Sequence, residues 1–126
     1  MTKEQISELE SNLDQYTGTE NYYRISGLHP DIVCTDGVLY LAQMAKAFWL
    51  LDAILSYQKQ CSKDEMLSQM QFWKLSVDLE KSSAVLTCDR DSGDTAITQE
   101  IEYTDFPLAE IKIWVAGKVL MLPGEY

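Results

Sequence analysis

The sequence predicts an α+β fold in which N-terminal helices, one of them long and buried, pack on one face of an antiparallel meander sheet of about five strands. Two patterns predict it. Apolar residues recur with the period of a helix up to about residue 70, and they alternate with polar residues, as in a strand, from residue 71 onwards. Helices followed by strands are typical of α+β architectures.

Length and composition indicate a single domain over residues 1–126, mainly helical over 1–70 and mainly strands over 71–126. The chain has 126 residues, of which 46% are hydrophobic and 24% are charged. These values are ordinary for one globular domain. No internal repeat and no linker long enough to divide the chain is visible.

The first helix is predicted over residues 3–16. Thr2 and Gln5 fit a capping box at its start, and Gly18 is suited to end it. A short extended piece is expected around Tyr22–Ile25, in an otherwise irregular segment. The apolar face of the helix carries residues three or four positions apart: Ile6, Leu9, Leu13 and Tyr16.

A long central helix is predicted next, with Thr35 or Asp36 as its cap. Its apolar run extends from Val38 to Leu55 and covers nearly the whole circumference, which predicts packing on more than one side. The residues expected on its solvent side are Gln43, Lys46, Leu50 and Tyr57. A third helix of about two turns, Lys63–Met70, is predicted from a capping box at Ser62.

Five strands are predicted in the second half of the chain. Each shows apolar residues at alternate positions, and short turns connect them, which favours an antiparallel meander. The long helix is the one element apolar enough to cover a sheet face. The predicted strands are Trp73–Leu79, Ala84–Cys88, Ile97–Tyr103, Ile111–Val115 and Lys118–Leu122.

The chain is strongly acidic, with a net charge of −10 from 20 acids and 10 bases. Residues 1–36 hold seven acids and two bases, and residues 78–110 hold nine acids and two bases. Such a chain repels phosphate, so direct binding to nucleic acid is not expected. The acids can be a solvated surface, or, if they converge on one face, a mimic of a nucleic-acid backbone.

The sequence predicts a cytoplasmic protein without a membrane segment. Its N-terminus lacks an apolar leader, and the apolar run 38–55 is broken by Gln43, Lys46 and Asp52, which makes it a poor transmembrane span. The cysteines form no C-x-x-C pair, and we interpret them as reduced thiols. They are Cys34, Cys61 and Cys88.

No motif for catalysis, metal or cofactor binding is present, so no cofactor is expected. The one histidine, His29, lies five residues before Cys34; a Cys–His pair is one interpretation, and a loop histidine with a buried thiol is the other. Residues 89–94, DRDSGD, resemble the start of a calcium loop. The glycine falls at the fifth position and strands flank the segment, which favours a hairpin tip.

Asp52 and Trp114 are the residues that sequence reasoning singles out. Asp52 interrupts the apolar helix, and three roles stay open: a structural tie to Arg24 or Lys74, a surface acid, or a functional carboxylate. The last role needs a pocket lined by Trp49 and the tyrosines at 22 and 23. Trp114 lies at an outward-facing position of its predicted strand. It is a candidate for contact with a partner protein or for a homodimer contact, and Tyr126 is a second exposed aromatic residue.

Several blocks of the chain resemble a bacterial family of uncharacterised small proteins that also occurs on phages and plasmids. The blocks include YTGTENYYR, TDGVLYLAQMAKAFWLLDAILSYQ, AVLTCDRDSGD, YTDFPL and VLMLPGEY, and together they extend from about Tyr16 to Tyr126. The resemblance implies no activity and no site residue. A mobile-element setting favours a role in contacting host or defence proteins.

These observations favour a small acidic, non-catalytic protein-interaction module with a protein as partner. A nucleic-acid-mimic decoy that acts on a nucleic-acid-binding protein is the first alternative. An enzyme or ligand binder that uses a pocket near Asp52 is the second.

Overall fold

Four helices and seven strands make up the fold, and the computed structural model describes all of residues 1–126. The helices are α1 (Lys3–Leu13), α2 (Asp36–Met44), α3 (Phe48–Ser56) and α4 (Gln58–Cys61). The strands are β1 (Tyr22–Arg24), β2 (Val33–Thr35), β3 (Met70–Asp78), β4 (Ser83–Asp91), β5 (Asp94–Ile101), β6 (Glu110–Ala116) and β7 (Val119–Met121). A 3-10 turn, Pro123–Glu125, ends the chain.

The sheet is larger than predicted and is not a simple meander. Its seven strands lie in the order β1-β2-β7-β6-β3-β4-β5, and every pair is antiparallel except β2 with β7. Strands β3, β4 and β5 do follow one another, but β6 returns to the other side of β3. That pairing places Ile113 opposite Trp73 and Ile111 opposite Leu75, so both strands direct apolar residues to the same side.

Helix α1 begins as predicted and ends early. Thr2 accepts a hydrogen bond from the backbone N–H of Gln5, whose side chain in turn accepts from the N–H of Thr2, which confirms the capping box. The helix stops at Leu13, and Tyr16 continues the apolar face through a backbone bond to the carbonyl of Leu13 at 3.3 Å. The helix therefore ends three residues before the predicted end at residue 16.

The predicted long helix is two helices with a sharp break between them. Lys46 adopts a left-handed conformation, with φ of 52°. The N–H of Ala47 bonds to the carbonyl of Ala42 at 2.9 Å, the six-to-one bond of a Schellman ending. Because α3 starts in a new phase, Leu50, expected at the solvent, is only 1% exposed.

The predicted helix Lys63–Met70 is a run of turns. The Asp64 carboxylate accepts hydrogen bonds from the N–H groups of Met66 and Leu67, at 3.0 and 3.1 Å. An aspartate that bonds its own backbone in this way competes with helix formation. The same carboxylate accepts a bond from the Arg90 Nε at 2.8 Å, which fixes the turns to β4.

Acid is expected to weaken the fold below about pH 4, where an unfolded aspartate titrates. The pKa of Asp64 is lowered by the backbone N–H of Leu67 and then by Arg90. The pKa of Asp36 is lowered first by the backbone N–H of Glu20. A carboxylate with a depressed folded pKa stabilises the fold above its unfolded pKa, and this contribution is lost as the pH falls through the folded value.

Urea midpoints measured at about pH 7 and about pH 3 test this expectation. Asp64→Asn should lose less stability than the wild type between the two conditions, because one of the titrating groups is gone. Asp52→Asn is the matched control, since that exposed side chain makes no hydrogen bond or ion pair. Equal acid sensitivity of all three proteins would contradict the assignment.

One core joins the helical half and the strand half. Its polar centre is Gln71, 2% exposed, whose amide exchanges two hydrogen bonds with Gln58 and accepts a third from the Trp73 indole at 2.8 Å. No buried side-chain polar atom is left without a partner. The largest fully buried side chains are Trp73, Phe106, Leu9, Leu41, Leu50, Leu51, Ile54, Leu75, Leu86, Ile113, Leu120 and Val38.

Candidate functional site

One face of the sheet is left without a helical layer. Side chains alternate along a strand, so Trp73 and Leu75 point to the core while Phe72 and Lys74 point the opposite way. None of the outward positions of β3, β4, β5 and β6 is buried. We call this surface the open face. Its central residues are Phe72, Lys74, Ser76, Thr87, Asp89, Lys112 and Trp114.

An aromatic cluster occupies the middle of the open face. Phe72 and Trp114 are direct cross-strand partners, and their rings meet edge to face with centroids 5.2 Å apart. Tyr126 packs on the other side of Trp114 with a centroid distance of 5.6 Å. Edge-to-face pairs of this kind are favourable and rigid. Since Tyr126 is 76% exposed, the cluster presents aromatic surface to the outside.

Two lysines lie next to this cluster, opposite each other on neighbouring strands. Lys74 of β3 pairs in register with Lys112 of β6, one step along the strands from Phe72 and Trp114. Like charges directly opposite each other in a sheet repel. Lys74 has Glu110 at 4.0 Å, with both side chains about half exposed, and Lys112 makes no ion pair. The lysine pair is therefore available to an external carboxylate.

The aromatic residues and the lysines share one cleft with two aspartates. The cleft has a volume of about 340 Å³. Asp89 lies beside Phe72 on β4 and accepts a hydrogen bond from the Thr95 hydroxyl, while Asp91 lies two residues further along. We call it the open-face cleft. It is lined by Phe72, Trp73, Lys74, Asp89, Asp91, Ser92, Lys112 and Trp114.

The open-face cleft combines apolar, cationic and acidic side chains. Aromatic faces offer apolar contact, the lysines offer cationic donors and the aspartates offer acceptors. None of these groups is a cysteine or histidine, and the lining serine donates its backbone N–H to Asp91 at 2.7 Å. The arrangement can therefore hold side chains of both charges around an apolar centre.

Asp52 and Arg24 do not form the tie that is one of the three roles left open for Asp52. Both side chains are exposed, and neither takes part in an ion pair or a side-chain hydrogen bond. Asp52 follows the buried Leu51 on α3 and faces outward, which leaves the surface-acid interpretation. Trp49 is half-buried beside the core, and neither Trp49 nor Asp52 lines the open-face cleft.

The thiols and the histidine do not form a nucleophilic site. Burial raises the pKa of Cys34 to about 11 and that of Cys88 to about 12, so both thiols stay protonated at neutral pH. An activated cysteine requires the opposite shift. His29 makes backbone hydrogen bonds within its turn, to Ser26 and Ile32, and no side-chain hydrogen bond to Cys34.

The acids are spread over several surfaces. Strands β1 and β2 lie at one edge of the sheet, and β4 and β5, which hold four of the nine acids of residues 78–110, lie at the other. Three acids, Glu10, Asp14 and Glu110, do line one cleft together. This distribution gives no support to one long acidic face of the kind that a nucleic-acid mimic needs.

Residues 89–94 lie at the hairpin between β4 and β5, as predicted for a hairpin tip. Asp94 accepts a hydrogen bond from Arg90 at 3.3 Å, and Gly93 takes a positive φ of 79° that suits the turn. No group of three or more His, Cys, Asp or Glu side chains is arranged to hold a metal ion. None of the helices has the length and hydrophobicity required to cross a lipid bilayer.

Comparison with known proteins identifies a family and no individual relative. No curated protein matches the chain, and no solved structure matches it. The sequence profile of a family of unknown function, DUF6876, matches residues 7–126, which include every element from most of α1 to the final turn. The chain therefore belongs to the family of unknown function DUF6876.

Proposed function

We propose that the chain, acting as a single domain, is a non-catalytic protein-interaction module that binds protein through the open-face cleft around Trp114. The observation that carries the proposal is the aromatic cluster on a sheet face that no helix covers. Aromatic residues are enriched at protein interfaces and supply much of their binding free energy.

The charged residues of the open face support recognition rather than chemistry. Lys112 makes no ion pair within the chain, and Lys74 has only Glu110, at 4.0 Å. Cationic groups beside exposed aromatic rings define register and orientation at an interface. The buried, protonated thiols give no competing reason to assign a reaction.

A cytoplasmic setting and a bacterial or mobile-element origin belong to the same proposal. All three cysteines are free and buried, which suits a reducing compartment. The resemblance to a family that occurs on phages and plasmids supports contact with other proteins in that compartment.

Trp114→Ala is expected to abolish protein capture by the immobilised chain. The lysate should come from cells that also produce an untagged copy of the chain. The immobilised chain can then capture either this untagged copy or a different protein. Captured proteins are quantified by mass spectrometry for the wild type and each variant. Loss is expected because the substitution removes the centre of the aromatic cluster, between Phe72 and Tyr126.

Tyr103→Ala is the matched control, since Tyr103 is 73% exposed and lies outside the open face. It should capture the same proteins as the wild type. Circular dichroism confirms that both variants are folded. A captured set that Trp114→Ala leaves unchanged would rule out this face as the binding surface.

A further inference from the structure

We infer that the occupant of the open-face cleft is a second copy of this chain, docked face to face about a two-fold axis. The inference rests on the proposed function and names its partner. A two-fold interface needs a patch that complements itself, because every contact occurs twice with the roles of the copies exchanged. The open-face cleft has such a composition.

The charges of the cleft balance locally, unlike those of the chain. Lys74 and Lys112 contribute two positive charges, and Asp89 and Asp91 contribute two negative charges, so the cleft sums to zero. The whole chain carries −10. Two copies repel each other through their net negative charge, and a patch whose charges cancel adds little to that repulsion.

The lysines and the aspartates also lie at different places on the open face. The lysine pair lies along β3 and β6, one step from Phe72 and Trp114, whereas Asp89 lies across β4 in the row of Phe72. A second copy placed with its aspartates over the lysine pair has, by symmetry, its own lysines over the first copy's aspartates. The aromatic rows of both copies then meet between the two charged contacts.

A segment of one charge sign satisfies only part of this patch. An acidic segment neutralises the lysine pair and leaves Asp89 and Asp91 facing negative charge. A basic segment does the reverse. A second copy supplies both signs at once, and it relieves the repulsion between Lys74 and Lys112, which face each other across the strands. Two sheets stacked with their side chains interdigitating lie about 10 Å apart, which the aromatic side chains fill.

Sedimentation velocity of the full chain over a range of concentrations tests the inference. The wild type should associate to twice its mass of 14.4 kDa. Lys74→Glu/Lys112→Glu gives a copy with only acids in the cleft, and Asp89→Lys/Asp91→Lys gives a copy with only bases. Each alone should show a dissociation constant raised by at least about tenfold, because both contacts become repulsive.

Mixing the two charge-reversed proteins is the decisive step. In the mixed dimer every opposed pair is again of opposite sign, so association should return to near the wild-type level. Asp89 bonds Thr95, and its loss can disturb the hairpin. The single variants Lys112→Glu and Asp91→Lys form a milder second pair, since neither side chain bonds another side chain in the chain.

A wild type that stays monomeric at every concentration would overturn the inference. If Trp114-dependent capture of another protein persists in that case, the proposed function stands with a different partner. A dimer that survives both charge reversals uses another surface, which also overturns the inference. Reversed variants that dissociate but do not recover on mixing would disprove the opposition of lysines and aspartates.

Discussion

Trp73→Ala is expected to lower the free energy of unfolding by about 3 to 5 kcal/mol, the usual cost of truncating a buried aromatic residue. Trp73 is 1% exposed and is the largest of the fully buried side chains. It packs against Tyr57 with ring centroids 5.6 Å apart, so it connects the sheet to the helical layer. A domain of this size is stable by only about 5 to 15 kcal/mol, and this variant should lose much of that margin.

The indole N–H adds a polar contribution to this loss. It donates to the Gln71 side-chain oxygen at 2.8 Å, and Gln71 is itself almost completely buried. Trp73→Phe keeps most of the apolar volume and removes this donor. It should cost less, about 1 to 3 kcal/mol, because Gln71 still accepts a bond from Gln58.

Urea unfolding followed by circular dichroism measures both variants. Circular dichroism suits the purpose because Trp49 and Trp114 also fluoresce. Trp114→Phe, on the open face, serves as a control for the loss of a tryptophan outside the core. A cost of Trp73→Ala no greater than that of the control would contradict the central position of Trp73.

Patterns that depend on neighbouring residues were predictable from the sequence. The change of period near residue 71, the capping box at Thr2 and the Thr35 cap of α2 all appear in the structure. So does the extended piece at Tyr22–Arg24. The outward direction of Trp114 followed from its alternation with Ile113 and Val115.

The break in the predicted long helix could not be seen because its signal is tertiary. Nothing in AKA at 45–47 is a glycine or proline, and a lysine takes the left-handed position at a cost of about 1 to 2 kcal/mol. Burial compensates for this cost. The break is accompanied by the burial of Ala47 and Leu50, each of which is 1% exposed.

The set of residues that lines the open-face cleft could not be predicted from the sequence, for a different reason. Alternation alone places Phe72 with Lys74, and Lys112 with Trp114, on outward faces. That these four meet depends on the pairing of β6 with β3, between residues about forty positions apart in the chain. The predicted order of strands separated them. The direction of Asp52 could not be predicted for a related reason. The break at Lys46 sets the rotation of α3 about its axis, and with this rotation Asp52 faces outward and forms no tie.

Gly37→Ala is expected to destabilise the fold, although alanine is the better helix former. A Cβ at Gly37 would lie 2.5 Å from the Glu125 Oε1 and 2.7 Å from the Leu122 Cδ1, and contacts this short require movement. Glu125 cannot move freely. Its carboxylate accepts hydrogen bonds from the Thr35 hydroxyl at 2.6 Å, the Gly37 N–H at 3.1 Å and the Leu122 N–H at 3.0 Å.

The glutamate thus fastens the C-terminus to the first turn of α2. A carboxylate at a helix N-terminus satisfies free N–H groups and faces the positive end of the helix dipole. Glu125→Ala should therefore cost about 1.5 to 3 kcal/mol, the range for hydrogen bonds to a charged group. Overpacking by Gly37→Ala should cost about 1 to 3 kcal/mol, which outweighs the gain of about 1 kcal/mol in helix propensity.

A double-mutant cycle separates the clash from the lost hydrogen bonds. With Glu125 truncated, the new methyl group at position 37 has one fewer obstacle, so the double variant should be more stable than the sum of the single losses predicts. Gly27→Ala is the control, because a Cβ there meets nothing within 4 Å. Urea unfolding of the wild type, the two single variants and the double variant measures the coupling, and Gly27→Ala is measured beside them. Strictly additive losses would mean that the Gly37 methyl group and the Glu125 carboxylate never compete for the same space.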